Sequence, residues 1–238
     1  MEKKYTYEDF VEIIRTLRSE NGCPWDREQT HNSLRPCLME EAAEVLSAIR
    51  IFEQTGNPEN LKEELGDVLL QVVMHAQIAA EEGLFTMENV VQGVSEKMVR
   101  RHPHVFGEVE ASTSSQVLEN WEEIKKKEKA GQAWVESPLR EVPRELPALT
   151  RASKVLKKVD KHYGHGSTYE EDLQKLEQAL DTLKGLKPQG YDERISAAVG
   201  DLLMAVSDIS RLCKLSQEQI LTDQIDDLIE DYEGKFEK

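Results

Sequence analysis

Apolar residues recur every three or four positions along most of this chain, a spacing that is typical of amphipathic α-helices. The first helix is predicted to begin after Thr6, because Asp9 follows three residues later and completes the pattern of a capping box. It is predicted to end near Asn21-Gly22, where a residue that tolerates a positive φ is expected. Two further helical runs flank a tight turn at 56–58, in which Asn57 is predicted to cap the second run and Pro58 to take its first helical position. The pattern therefore predicts an all-α protein with a helical hairpin at its centre.

Four acidic residues lie in this hairpin at spacings that pair them on one face of each helix. Glu41 and Glu44 are three positions apart in the first run, and Glu64 and Asp67 are three positions apart in the second. They adjoin the apolar rows, where clustered carboxylates are unfavourable unless a cation neutralises them. Because oxygen ligands suit hard divalent cations, we predict a Mg²⁺ site here. A solvated acidic face is the alternative interpretation.

A cluster of basic residues follows in the helix that Thr86 is predicted to cap. It contains Lys97, Arg100 and Arg101, and the first and last of these are four positions apart, so they point the same way. Such a cluster could bind phosphate groups, or it could simply neutralise neighbouring glutamates. Pro103 disfavours helical geometry in the residue before it, so we expect the helix to end there.

Two tryptophans are candidates for contact with a ligand ring. Trp25 lies in a short polar segment that is predicted to be a loop, where it could cover the core or offer a stacking platform. Trp121 lies four positions before Lys125 in a later predicted helix. An aromatic ring and a cation on one helix face suit either a protein interface or a nucleotide.

The net charge and the cysteines limit which partners and which cellular compartment are consistent with the sequence. The chain has 46 acidic and 30 basic residues and a net charge of −16, which argues against nucleic acid or an anionic membrane as a partner. Cys23, Cys37 and Cys213 are an odd set without a CxxC spacing, as expected for free thiols in a reducing compartment. No apolar run approaches the length of a membrane span. We therefore expect a soluble, cytoplasmic protein.

An internal repeat suggests two copies of one helical module. The sequence LGDVLL at 65–70 recurs as VGDLLM at 199–204. The second copy lacks several of the candidate functional residues. Gln178 takes the place of Glu41, Ala198 takes the place of Glu64, and the basic cluster has no counterpart.

The repeat also predicts the domain organisation. We expect residues 1–130 to form a catalytic domain and residues 148–238 to form a degenerate copy with a structural role. Residues 131–147, which contain several prolines, are predicted to be the linker between them.

Five blocks of sequence resemble the MazG family of nucleoside triphosphate pyrophosphohydrolases. The blocks are GCPWDREQTH (22–31), EEAAE (40–44), EELGD (63–67), EKMVRRHPHVF (96–106) and NWEEIKKKE (120–128). The tandem arrangement also resembles the two-domain form of that family, although the second copy departs from the family's EExxE and ExxD pattern. The resemblance implies an all-α fold and a homodimer whose helices complete a four-helix bundle.

The resemblance also implies Mg²⁺-dependent hydrolysis of a nucleoside triphosphate to the monophosphate and pyrophosphate, with Mn²⁺ able to substitute. The residues that match the family's metal ligands are Glu41, Glu44, Glu64 and Asp67. Lys97 and Arg101 match the family's contacts to the triphosphate, and Arg100 lies beside them. Trp121 and Lys125 match residues that lie near the nucleotide. Trp25 is a candidate to stack on the base. Glu40 is a candidate to orient the attacking water, with Glu41 as its catalytic neighbour.

Other functions fit parts of the same pattern. The substrate could be a single damaged nucleotide in place of a broad set of triphosphates. A module of another class would bind nucleotide or a protein partner without catalysis. A ferritin-like di-iron site is disfavoured, because such bundles carry Glu-x-x-His on each of two helices and the chain offers only Glu28 with His31.

Overall fold

The computed structural model describes residues 3–107, 109–129, 137–186 and 190–236. Within these ranges the chain forms eleven α-helices and no β-strand, which confirms the predicted all-α fold. The chain divides into two compact units, Met1–Ala130 and Gly131–Lys238. None of the described helices combines the length and the apolar character that a membrane span requires.

The first unit contains seven helices. They are α1 (Tyr7–Leu17), α2 (Pro24–Glu28), α3 (Arg35–Thr55), α4 (Glu59–Glu81), α5 (Met87–Arg101), α6 (Pro103–Phe106) and α7 (Ser114–Lys129). The core forms where α1 and the residue before α3 pack on α4, and its buried members are Ile14, Leu34, Val73, Met74 and Ile78. The capping box at Thr6 is confirmed, since Thr6 and Asp9 exchange hydrogen bonds of 3.0 and 3.2 Å.

The predicted hairpin is formed by α3 and α4, which pack against each other along their length. Gly56 ends α3 with a φ of +69°, in the left-handed region that favours glycine. The side chain of Asn57 accepts a hydrogen bond of 3.0 Å from the backbone N–H of Glu59 and so caps α4. Pro58 is the residue before the helix, one position earlier than we predicted. This turn reverses the chain and brings the two acidic helices side by side.

The segment that carries Trp25 is the short helix α2, so the prediction of a loop was wrong there. Arg18 fixes this segment through backbone contacts. Its guanidinium donates to the carbonyl oxygens of Asp26 and Gln29 and also pairs with the carboxylate of Glu81 on α4. A five-residue helix is too short for hydrophobic periodicity to reveal it.

The first helix also ends earlier than we predicted, at Leu17. We expected Gly22 to adopt a positive φ at the end of that helix, but it is absent from the residues that do. A Cβ atom at this position would lie 2.2 Å from the carbonyl oxygen of Leu17, so glycine is required there by close backbone packing.

The second unit contains α8 (Ala148–Tyr163), α9 (Tyr169–Lys184), α10 (Glu193–Leu212) and α11 (Gln217–Phe236). Helices α9 and α10 form the main packed pair, and α8 packs on α10. Within the predicted linker, residues 131–136 lie outside the described residues, and the remainder packs on this unit. Val142 is buried, and Glu141 pairs with Lys158 of α8. The roles that we assigned to the two halves stay predictions.

Candidate active site

Three of the four predicted metal ligands converge at the hairpin. Glu41 reaches across from α3, and Glu64 and Asp67 lie on successive turns of α4. One carboxylate oxygen of each residue lies within 4.8 Å of the other two, and all three residues are half-buried. Across the described ranges, no other group of three histidine, cysteine or acidic residues converges this closely.

The electrostatics of this cluster follow from crowding. Partial burial, and then the charges of Asp67, Glu44 and Glu64, raise the pKa of Glu41 above its ordinary value. Glu44, the fourth predicted ligand, is exposed and lies outside the group of three. Glu40, the predicted partner of the attacking water, is exposed on α3. The group therefore carries unfavourable negative charge that a bound cation would relieve.

The donor set fits a hard divalent cation. Mg²⁺ takes oxygen ligands, and each of the three carboxylates can offer one oxygen within 4.8 Å of the other two. A neighbouring amide supports one of them, because Asn60 donates a hydrogen bond of 2.8 Å to Glu64 from one turn earlier on α4. Sequence analysis did not single out Asn60, although its i,i+4 spacing to Glu64 is the signal that identifies it.

The basic cluster on α5 meets an acidic residue that sequence analysis missed. One oxygen of Glu128, on α7, pairs with Arg100 at 2.6 Å, and the other pairs with Arg101 at 2.6 Å. Hydrogen bonds from Arg101, together with those from Arg100, lower the pKa of Glu128 to about 2. Glu128 lies three positions after Lys125 and seven after Trp121, so these residues share one face of α7.

Two cations lie close to the ring of Trp121. The guanidinium carbon of Arg101 is 5.2 Å from the centre of its ring, and the ammonium of Lys125 is 4.6 Å away. Lys97, one turn before Arg101, is half-buried. The structure thus brings together four of the predicted substrate contacts: Arg100, Arg101, Trp121 and Lys125.

Trp25 remains separate from these groups. Its side chain is 64% exposed on α2, and within the described residues no hydrogen bond or ring contact joins it to the carboxylates or the basic cluster. An exposed ring on a fixed helix is available to a ligand, but the structure itself assigns it none.

The second unit has a cavity where the repeat predicts a lost site. It has a volume of about 610 Å³ and lies between α8, α9 and α10. Gln178, Ala198 and Asp201, the counterparts of Glu41, Glu64 and Asp67, are among the residues that line it. Alanine and a neutral amide leave this region without the converging carboxylates of the first unit.

The first unit is therefore an α-helical hairpin protein with a candidate divalent-cation site and a cluster of cations on a neighbouring helix. Comparison with known sequences agrees with this class. Residues 29–106, which include α3, α4 and α5, match the profile of the MazG nucleotide pyrophosphohydrolase domain.

Similar proteins extend the match into the second unit. The chain is 40% identical to the nucleoside triphosphate pyrophosphohydrolase/pyrophosphatase MazG of Thermotoga maritima over 216 residues, which cover 90% of this chain and 79% of that protein. It is also 40% identical to the nucleoside triphosphate pyrophosphohydrolase of Escherichia coli K12 over 202 residues, or 84% of this chain and 75% of that protein. The chain belongs to the MazG family, which confirms the resemblance of the five sequence blocks.

A third relative is longer than this chain. The uncharacterized protein YabN of Bacillus subtilis is 42% identical over 225 residues, which are 93% of this chain but 45% of YabN. The chain thus spans less than half the length of that relative.

Proposed function

We propose that this chain hydrolyses nucleoside triphosphates to nucleoside monophosphates and pyrophosphate at the α3–α4 hairpin. The observation that carries this proposal is the convergence of Glu41, Glu64 and Asp67 within 4.8 Å, in a chain that belongs to the MazG family. Glu44, whose charge raises the pKa of Glu41, completes the proposed ligand set. Mg²⁺ is the proposed ion, and Mn²⁺, which accepts the same oxygen donors, is proposed to substitute.

The carboxylates hold the cation, and the cation supplies charge neutralisation and a more acidic water at neutral pH. The side chains have separate tasks around it. Glu41, Glu64 and Asp67 would hold the cation where α3 and α4 meet. Glu40, exposed beside them, is proposed to accept a hydrogen bond from the attacking water and so direct it at the α-phosphorus.

The basic cluster is proposed to bind the part of the substrate that leaves. When the bond to the α-phosphorus breaks, negative charge increases on the departing pyrophosphate. Lys97 and Arg101 are four positions apart on α5 and offer cations to that charge, with Arg100 beside them. Positive charge placed before the reaction stabilises the transition state without reorganisation.

The aromatic residues are proposed to contact the nucleoside. Trp121 offers a ring that Arg101 and Lys125 approach to 5.2 and 4.6 Å. Trp25 is proposed as a stacking surface for the base, supported by its exposure and by the anchoring of α2 through Arg18. The positions of these residues do not distinguish canonical from damaged bases.

We also propose that the protein acts as a homodimer in the cytoplasm. The hairpin leaves large apolar residues uncovered, among them Leu46 at 69% and Leu65 at 52% exposure, on both α3 and α4. A second hairpin would cover such residues by completing a four-helix bundle. The three cysteines form no disulfide, as expected in a reducing compartment.

The test of the reaction is the position of the bond that breaks. Hydrolysis would be run in water labelled with heavy oxygen, with Mg²⁺ present, and the products separated by mass. Attack at the α-phosphorus predicts label in the nucleoside monophosphate and none in pyrophosphate. Label in inorganic phosphate or pyrophosphate would contradict the proposed reaction. Nucleotide binding without turnover would favour the alternative of a non-catalytic regulatory module.

A further inference from the structure

We propose that Glu128 is a positioning residue for this reaction, which holds the guanidinium of Arg101 in place against the ring of Trp121. Its carboxylate would thereby set the direction in which Arg101 meets the triphosphate. The inference rests on the proposed function, in which Arg101 contacts that group. It concerns a residue on a different helix from any of the proposed metal ligands.

The geometry of the pair fixes the plane of the guanidinium. One oxygen of Glu128 accepts hydrogen bonds from Nε and Nη2 of Arg101 at 3.0 and 2.6 Å. Two bonds on one edge of a planar group prevent its rotation. They leave Nη1 as the part of Arg101 that Glu128 does not engage. The other oxygen of Glu128 accepts from Nε of Arg100 at 2.7 Å, so one carboxylate organises both arginines.

Burial distinguishes the two arginines. The side chains of Arg101 and Glu128 are each 15% exposed, whereas that of Arg100 is 53% exposed. Water therefore screens the Arg101 pair less than the Arg100 pair. Hydrogen bonds from the two arginines lower the pKa of Glu128 to about 2, so its carboxylate is ionised at neutral pH. One negative charge beside two positive charges leaves a net positive charge for an anionic ligand.

The ring of Trp121 fixes the face of the Arg101 guanidinium, as Glu128 fixes its edge. Its central carbon lies 5.2 Å from the centre of the Trp121 ring, within the range of a cation–π contact. Trp121 and Glu128 are seven positions apart on α7, so they stand on the same face, two turns apart. Arg101 of α5 is therefore held by two residues of α7 at once. Lys125 lies between them along the same face.

A different role for Glu128 would give the opposite result. If its carboxylate only occupied the place of a phosphate, the substrate would have to displace it. Removing its charge would then strengthen the binding of an anion. A positioning role predicts weaker binding instead, because Arg101 would lose its orientation. The low exposure and the doubled bonding of the Arg101 pair favour the positioning role.

The experiment compares Glu128→Gln with Glu123→Gln, which removes an exposed carboxylate from the same helix. KM and kcat for nucleoside triphosphate would be measured for both variants. We expect Glu128→Gln to raise KM roughly tenfold and to lower kcat as well, because Arg101 is proposed to contact the triphosphate both in the bound substrate and in the transition state. Glu123→Gln should leave both constants unchanged. Glu128→Asp, which keeps the charge, should recover part of the loss.

A double-variant cycle tests whether the effect passes through Arg101. Adding Glu128→Gln to Arg101→Ala should raise KM by a smaller factor than Glu128→Gln does in the wild-type background, since only the contact with Arg100 is then left to lose. A direct readout uses the emission of Trp121 in a chain whose Trp25 and Trp134 are replaced by phenylalanine. In that background Glu128→Gln should alter the emission, because Arg101 moves off the ring, while Glu123→Gln should not.

Three results would overturn the inference: a lower or unchanged KM in Glu128→Gln, an equally large loss in the Arg101→Ala background, or an unchanged emission of Trp121. The emission measurement needs no turnover. Inactivity of the wild-type protein towards all triphosphates would therefore overturn the proposed function, and the emission would still decide whether Glu128 holds Arg101.

Discussion

The Nδ1 atoms of His31 and His75 lie 2.8 Å apart, and the two rings stack with an angle of 4° between their planes. One ring must donate and the other accept, so at least one of the two must be neutral. His75 lies on α4, two turns beyond Asp67, and His31 lies just before α3. The pair therefore joins the segment that leads into the acidic hairpin to the second helix of that hairpin.

This pair predicts a loss of stability in mildly acidic solution. Burial, and then the proximity of His31, lower the pKa of His75 below 6.5. The unfolded chain then binds a proton more readily than the folded chain, so the contribution of His75 to folding is present above about pH 6.5 and is lost as the pH falls below it. We expect the free energy of unfolding, measured in urea, to fall between about pH 7 and pH 5.

The control is substitution of the histidine itself. His75→Gln should show a weaker dependence on pH across that interval, whereas His162→Gln, on α8 of the second unit, should behave as the wild type does. Equal pH dependence in all three proteins would show that the stacked pair is not responsible.

The Arg18–Glu81 ion pair predicts a second effect on stability. The Arg18 side chain is 5% exposed, and it also bonds two carbonyl oxygens of the α2 segment. Arg18→Ala should lower the free energy of unfolding by about 2–3 kcal/mol, because buried acceptors lose their donor. Arg15→Ala breaks a pair whose side chains are both more than half exposed, and it should change that free energy by less than about 1 kcal/mol. Similar losses in both variants would contradict the anchoring role.

The raised pKa of Glu41 predicts opposite effects of one substitution on stability and on function. Glu41→Gln removes a charge that the folded chain disfavours, so the metal-free protein should melt at an equal or higher temperature than the wild type. The same variant should lose turnover, because the cation loses a ligand. Differential scanning calorimetry without metal, followed by an activity assay with Mg²⁺, checks both effects. A clear drop in melting temperature would refute the electrostatic account of this cluster.

Metal binding itself should be visible as a shift in melting temperature. A ligand that binds only the folded chain stabilises it by an amount that grows with the logarithm of its concentration above the dissociation constant. Mg²⁺ should therefore raise the melting temperature of the wild type and leave that of Asp67→Asn unchanged. Glu63→Gln, an exposed neighbour in the same helix, should keep the wild-type shift. An equal shift in Asp67→Asn would move the metal site elsewhere.

The addition of a single carboxylate should not make the second unit catalytically active. Ala198→Glu restores the counterpart of Glu64 at the cavity, but Gln178 remains neutral there. Introduced into an inactive Asp67→Asn chain, Ala198→Glu should therefore restore no pyrophosphate release. Recovery of activity would show that the cavity of the second unit is closer to a working site than its residues indicate.

Local patterns were enough to predict the helices and the hairpin. The period of the apolar residues identified α3 and α4, and the cap at Thr6 depends on residues three positions apart. The proximity of Glu41 to Asp67 could be predicted from the sequence, because the tight turn between α3 and α4 makes these two helices neighbours.

Contacts between distant parts of the chain were not predicted. Glu128 meets Arg101 across 27 positions, and Arg18 meets Glu81 across 63. No periodicity in the sequence specifies such pairs. The structure of α2 depends on the contacts of Arg18. Its short polar sequence alone therefore predicts a loop.

The most direct test of the central claim is pyrophosphate release by the wild type, by Glu64→Ala and by Asp201→Asn, its matched control in the second unit. Each protein would be given a panel of canonical and modified nucleoside triphosphates, with Mg²⁺ and with a chelator. We predict metal-dependent release by the wild type and Asp201→Asn, and none by Glu64→Ala. Undiminished release by Glu64→Ala, or its loss in Asp201→Asn alone, would contradict the placement of the reaction at the α3–α4 hairpin.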